Sequence, residues 1–129
     1  MVDTSVWSLA LRRNGGTVYP EVKKLKNLIL DGEQLFIIGL ILQEILQSIS
    51  RSDKFEKLKN YLSAFPILRL DREDYIIAAQ FRNQCRSKGV QAGTIDFLIA
   101  STAITHNCHL FTTDNDFQYI ARYSNLMLL

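Results

Sequence analysis

Several features are missing from this 129-residue sequence, and each absence narrows the class of protein. No apolar run approaches the ~20 residues that a membrane-spanning helix needs, so we expect no membrane partner. The chain reaches Asp3 without the basic and then apolar stretches of a secretion signal, so we expect a cytoplasmic protein. The two cysteines, Cys85 and Cys108, form no CxxC pair, and we expect both to be reduced.

Proline is scarce, and low-complexity segments and internal repeats are absent. The length and a hydrophobic content of 47% suit one compact core. We therefore predict a single domain over residues 1–129.

Net charge is low as well, at +2, whereas domains whose composition signals phosphate binding are strongly basic. If four of the thirteen acids gather around cations, the other residues include fifteen basic and nine acidic side chains. A mildly basic surface around an acidic pocket suits a polyanion bound at a metal site. Many ordinary protein surfaces have the same balance.

Apolar periodicity predicts an alternation of strands and helices. The predicted strands cover residues 1–2, 35–38, 66–70, 108–113 and 126–129. The predicted helices cover residues 6–13, 21–30, 40–50, 53–64, 72–86, 95–106 and 115–122. Asp71 and Thr94 are the predicted caps of the two long helices that follow them. Because strands and helices take turns, we predict an α/β fold, a three-layer α/β/α sandwich with a central, mostly parallel sheet.

Acidic residues stand where such a sheet binds its ligands, beyond the carboxyl ends of the strands. Asp3 follows the first strand, and Asp114 and Asp116 follow the strand over residues 108–113. Asp96 lies in the first turn of a nearly all-apolar helix, where the helix dipole alone would stabilise a carboxylate by ~0.3–1 kcal/mol. No lysine or arginine stands within several residues of Asp96, so a carboxylate facing a crevice there needs another counter-charge.

Glu44 interrupts an apolar stretch over residues 35–46, and a solvated glutamate explains it as well as a site residue does. The number of acids that would converge favours the site. Carboxylates held within a few ångströms repel one another, so they assemble mainly where divalent cations neutralise them. An all-oxygen ligand set suits Mg²⁺ or Mn²⁺ rather than zinc.

Other side chains have a structural explanation that we favour. His106, Cys108 and His109 lack the second ligand pair of a structural zinc site. Trp7 could stack on a base, but a lone tryptophan near a helix start is more often packed inside. Basic side chains could bind the phosphates of a substrate, although such side chains are usually just solvated. We single out none of the candidates, which are Arg12, Arg13, Lys23, Lys24, Arg82 and Arg86.

Four segments stand in order along nearly the whole chain: VDTSVW at residues 2–7, LQEIL at 42–46, TIDFLIA at 94–100 and TTDNDF at 112–117. Together, and in this order, they resemble the PIN domain, specifically the VapC-type toxins. The resemblance implies that the catalytic acids are Asp3, Glu44, Asp96 and Asp114, with Asp116 a further acid in the same loop. It assigns the metal to Asp3, Asp96 and Asp114, and whether Asp114 or Asp116 lies closer to the metal stays open.

Thr4 and Ser5 match the family's hydroxyl pair after the first acid, which implies a bond to a ligand water or a phosphate oxygen. The alternative is that they cap the helix that begins there. The chain departs from the family in having only Met1 and Val2 before the first acid. It also has Gly39 where serine, threonine or proline often precedes the helix of the second acid.

The resemblance implies a Mg²⁺- or Mn²⁺-dependent endoribonuclease, the toxin of a type II toxin–antitoxin pair, in which a metal-activated water hydrolyses phosphodiester bonds of translation-related RNA. It also implies a homodimer and a cognate VapB-type antitoxin whose peptide lies across the active-site groove. Two alternatives remain: a PIN nuclease for RNA processing without an antitoxin, and a catalytically silent PIN module that binds RNA or protein. The filled acid positions disfavour the silent module.

Overall fold

A computed structural model describes residues 1–12 and 17–129. The chain divides into two compact units, which are Val2–Leu68 and Arg69–Leu129 with Met1. Arg13, the last residue predicted for the first helix, lies outside the described residues. The prediction of one domain over residues 1–129 stays a prediction.

The unit Val2–Leu68, called the N-terminal unit below, combines four helices with a parallel strand pair in its described part. Its elements are α1 (Thr4–Leu11), α2 (Pro20–Leu30), β1 (Ile37–Ile38), α3 (Gly39–Gln47), α4 (Ser52–Leu62) and β2 (Ile67–Leu68). Ile37 of β1 lies opposite Ile67 of β2. The N–H of Val2 donates to the carbonyl of Phe36 at 3.1 Å, which fixes the chain just before Asp3. Helix α1 packs against α2 and α3, and α3 packs against α4.

The second unit, called the C-terminal unit below, contains α5 (Arg72–Ser87), α6 (Thr94–Thr105) and α7 (Asp116–Arg122). Helix α6 packs against both α5 and α7. Its side chains from Phe97 to Ala103 are all buried, so this nearly all-apolar helix lies in the core. Leu110 and Leu128 form a parallel bridge in the same unit.

Helix α5 begins and ends where the sequence predicts. Asp71 caps it, because the Asp71 carboxylate accepts from the N–H of Glu73 at 2.9 Å while the Asp74 carboxylate accepts from the N–H of Asp71 at 2.9 Å. The chain leaves the helix through Gly89, whose φ of +84° is a conformation that glycine adopts without steric cost. The predicted cap at Asp71 is therefore confirmed.

The α/β class with parallel pairing is confirmed, but the described strands are shorter than predicted. Strand β1 covers only Ile37–Ile38, and in the predicted strand 108–113 the bridge to Leu128 is formed by Leu110 alone. Leu35, Leu110 and Phe111 are all buried. Apolar runs report burial, and burial does not require a partner strand at every residue. None of the described helices has both the length and the apolar character of a membrane span.

Candidate active site

Asp3 is a buried carboxylate at the start of α1. It is only 6% exposed, and its Oδ2 accepts from the hydroxyl of Ser5 at 2.6 Å and from the N–H of Ser5 at 3.3 Å. These bonds make Asp3 the cap of α1. The alternative interpretation, in which Thr4 and Ser5 cap this helix, is therefore wrong. Hydrogen bonds to a charged acceptor are stronger than neutral ones, so Ser5 stabilises and orients the ionised carboxylate of Asp3.

Glu44 lies in the second turn of α3 and is joined to the start of α1 by Thr4. The Thr4 hydroxyl donates to Oε2 of Glu44 at 2.5 Å, and both side chains are partly buried. Glu44 is therefore held in place and is not the freely solvated glutamate of the alternative interpretation. Since Thr4 follows Asp3 directly, this contact brings the first two predicted acids to one region of the N-terminal unit.

Asp96 lies in the first turn of α6, and its carboxylate is fixed by the backbone. Its Oδ2 accepts from the N–H of Gly93 at 2.9 Å, so Gly93, not Thr94 as predicted, is the cap residue. A Cβ atom placed on Gly93 would lie 3.0 Å from the same oxygen. This role of Gly93 was missed from the sequence, although an acid three residues after a cap position is the spacing of a capping box.

Asp114 and Asp116 share a turn that leads into α7. The N–H of Asp114 donates to Oγ1 of Thr112 at 3.0 Å, and Oδ1 of Asp114 accepts from the N–H of Asp116 at 2.9 Å. Asp114 is exposed, while Asp116 is half-buried. The turn therefore presents two carboxylates in the C-terminal unit, which also holds Asp96.

Within each unit, hydrogen bonds link some of the predicted acids. Thr4, the residue next to Asp3, donates a hydrogen bond to Glu44, and the N–H of Asp116 donates to Asp114. Within the described part of either unit, no three acidic, histidine or cysteine side chains are grouped as metal ligands. The assignment of catalytic and metal-binding residues stays a prediction. His106, considered above as a zinc ligand, lies beside an acid of α5: its Nε2 is 3.7 Å from Oδ1 of Asp74.

A groove of about 580 Å³ in the N-terminal unit is lined by apolar side chains of α1, α2 and α4. Trp7, which is 1% exposed, forms part of its wall and packs edge-on against Phe65 at 5.1 Å between ring centroids. The prediction that Trp7 is packed is confirmed. Its Nε1 is buried, and no described residue accepts a hydrogen bond from it. The exposed lysines on this groove are Lys26, Lys54 and Lys57.

Fold and site together define an α/β protein with carboxylates fixed at helix starts and in the turn before a helix. Residues 1–123 match the PIN domain family. The chain belongs to this family. Ribonuclease VapC11 of Mycobacterium tuberculosis is 30% identical over 128 residues, which are 98% of this chain and 94% of that protein. Ribonuclease VapC2 of Rickettsia felis is 28% identical over 132 residues, or 99% of this chain and 94% of that protein.

Two solved structures show the same fold. VapBC2 from Rickettsia felis, bound to a DNA fragment from its promoter, superposes with a TM-score of 0.78 and 22% identity, covering 100% of this chain and 96% of that one. FitAcB from Neisseria gonorrhoeae superposes with a TM-score of 0.76 and 24% identity, covering 99% of this chain and 94% of that one. At these identities the likeness concerns the fold, and it confirms the predicted PIN-like α/β class.

Proposed function

We propose that this chain is a Mg²⁺- or Mn²⁺-dependent endoribonuclease and the toxin of a type II toxin–antitoxin pair. The proposed catalytic acids are Asp3, Glu44, Asp96, Asp114 and Asp116. Membership of the PIN family and the ribonuclease names of relatives that span nearly the whole chain support the reaction class. The observation that carries the proposal is the buried Asp3 carboxylate, held by Ser5 and followed by Thr4, which binds Glu44. Carboxylates held close to one another repel, and a divalent cation relieves this repulsion.

The donor set fits the proposed metal. Asp3, Asp96 and Asp114, the proposed ligands, offer only carboxylate oxygens, which suit Mg²⁺ and Mn²⁺. When bound, the cation activates a water, orients the scissile phosphate and neutralises charge on the leaving oxygen. No side chain has to act as a nucleophile.

The chain's own residues position the carboxylates for this reaction. Ser5 holds Oδ2 of Asp3, and the Gly93 N–H holds Oδ2 of Asp96. Thr4 holds Oε2 of Glu44, so that this acid meets the substrate or its water in one orientation. Hydrogen-bond partners that orient the carboxylates of a metal site typically contribute about 10–100-fold to affinity or activity. A direct role of Thr4 and Ser5 in substrate binding stays a prediction.

The direct test is cleavage of RNA by the purified chain with Mn²⁺, compared with Asp96→Asn. We expect a loss of roughly 100-fold or more, because metal-assisted charge stabilisation contributes several kcal/mol. Asp71→Asn is the matched control, since the Asp71 carboxylate also accepts from backbone N–H at the start of a helix of the C-terminal unit, and the substitution removes the same charge. Circular dichroism and thermal unfolding check that both variants fold. Cleavage that survives Asp96→Asn and chelation would exclude this mechanism.

The proposed partner is a VapB-type antitoxin, and the proposed substrate is translation-related RNA in the cytoplasm. The names VapC11 and VapC2 and the fold shared with VapBC2 support this biology. Growth arrest on expression, relieved by the product of a neighbouring small reading frame, separates a toxin from an RNA-processing nuclease. Mapping RNA ends in cells that express wild type or Asp96→Asn identifies the RNA. A homodimer is part of the same proposal, and light scattering tests it.

The apolar groove of the N-terminal unit suits an amphipathic segment of that antitoxin. Its lining is largely apolar, and its three lysines favour acidic side chains on the partner. Lys57→Glu should therefore weaken antitoxin binding about tenfold, mainly through repulsion of acidic residues. Lys23→Glu is the control, because Lys23 is an exposed helix lysine that does not line the groove. Equal losses in both variants would argue against the groove.

A further inference from the structure

A cavity of about 420 Å³ lies within the C-terminal unit, between α5 and the first turns of α6. Buried side chains of Ala78 and Leu98 belong to its lining, and Tyr75, Arg82 and Thr94 supply polar groups. Ligand sites of this size hold small molecules, and an apolar lining with a few polar groups is their usual composition. The cavity is therefore large enough for one nucleotide.

Arg82 gives this cavity a positive charge and an unused donor. The Nε of Arg82 is buried, and no residue in ranges 1–12 and 17–129 accepts a hydrogen bond from it. A buried donor without a partner is unfavourable. This Nε is covered, so a ligand would meet the guanidinium through the part that lines the cavity. The planar guanidinium matches a phosphate group, to which it donates two parallel hydrogen bonds.

Tyr75 and Thr94 place a base-binding surface and a hydroxyl beside this charge. Tyr75 lies seven residues before Arg82 on α5, so the two side chains share a helix face, and Tyr75 is 53% exposed. Exposed aromatic rings stack on the bases of single-stranded RNA. Thr94 is the first residue of α6 and precedes Asp96 by two residues. The cavity thus borders the first turn of α6, the turn that also carries the proposed metal ligand Asp96.

We propose that this cavity binds one nucleotide of a single-stranded RNA, adjacent to the phosphodiester that is cleaved. Arg82 and Thr94 bind its phosphate, and the ring of Tyr75 stacks on its base. The inference rests on the proposed ribonuclease function and adds a subsite to it. It makes Arg82 a substrate-binding residue. Arg86, one helical turn further along α5, is exposed, does not line the cavity and has no such role.

The test measures RNA binding apart from cleavage. A fluorescein-labelled single-stranded RNA is titrated with the full chain carrying Asp96→Asn, alone or combined with Arg82→Gln, over a range of salt concentrations. Loss of one phosphate contact should raise Kd about tenfold and reduce the slope of log K against log salt by about 0.7. Tyr75→Leu should weaken binding about tenfold with the slope unchanged, while Tyr75→Phe keeps the affinity.

Arg86→Gln is the matched control and should leave both the affinity and the salt slope close to those of the parent chain. Thermal unfolding of each variant separates loss of binding from loss of fold. An Arg82→Gln chain that folds and binds with the parent's affinity and slope overturns the subsite, and so does the absence of RNA binding by the parent. The ribonuclease proposal is judged separately, by Mn²⁺-dependent RNA cleavage of the wild-type chain and its loss in Asp96→Asn.

Discussion

Gly93→Ala moves the Asp96 carboxylate with little change elsewhere in the protein. The backbone at Gly93 has φ −71° and ψ 159°, which alanine adopts freely, so the substitution causes no backbone strain. The added Cβ would lie 3.0 Å from Oδ2 of Asp96 and 3.7 Å from its Cγ, against 3.4–4 Å for ordinary contacts. The carboxylate therefore has to shift by a few tenths of an ångström.

A shift of this size should change the free energy of unfolding little, but it is large compared with the tolerance of metal–ligand distances. Ligand distances in metal sites hold within about 0.2 Å, and disturbing the groups that orient a ligand typically costs about 10–100-fold. We expect kcat/KM for RNA cleavage to fall about tenfold, which is about 1.4 kcal/mol of transition-state stabilisation. The unfolding free energy should fall by about 1 kcal/mol or less, as for other weakened helix caps.

The assay compares Gly93→Ala with Gly39→Ala, measuring cleavage rates and Mn²⁺ affinity for both. Gly39 is the first residue of α3, and a Cβ there meets nothing within 4 Å, so the same substitution leaves Glu44 in place. Gly39→Ala should cleave RNA like wild type. If Gly93→Ala also keeps wild-type cleavage and Mn²⁺ affinity, the position of Asp96 does not control the reaction, and the reasoning is refuted.

Two further predictions concern a hydroxyl and a thiol. Thr4→Val removes the hydrogen bond to Glu44 and should lower cleavage about tenfold, whereas Thr4→Ser keeps the hydroxyl and the rate; equal rates in both variants would contradict the role of Thr4. Burial raises the pKa of the Cys85 thiol, which the charge of Lys88 offsets in part, so at neutral pH iodoacetamide should modify the more accessible Cys108 first, as peptide mass mapping would detect. Because the neutral thiol is the form that the fold favours, this group's contribution to stability is present at neutral pH and lost as pH rises through the raised pKa. Faster labelling of Cys85 than of Cys108 would refute the predicted order of modification.

The sequence predicts helices better than strands, because different physical causes set their ends. Asp71 and Gly89 mark α5 through local hydrogen bonding and φ, both of which act within a few residues. Strand length depends on pairing with distant residues, which an apolar run such as 108–113 does not encode. The predicted strands are therefore too long while the helix positions agree.

For the candidate site, residue types were predictable and their contacts were not. The acids stand out because they follow strands or interrupt apolar segments. That Thr4 binds Glu44, 40 residues away, is a tertiary contact without a local signal. The cavity beside Arg82 depends on the packing of α5 against α6, and only the seven-residue spacing of Tyr75 and Arg82 hints at a shared face.

We propose that Asp3 and Asp96 both bind the catalytic cation. Calorimetric titration with Mn²⁺ of Asp3→Asn, Asp96→Asn and the double variant tests it most directly. We predict that each single substitution weakens one shared binding event at least about tenfold, and that the double variant loses much less than the two losses combined. Mn²⁺ affinities that stay at the wild-type value in either single variant would contradict it.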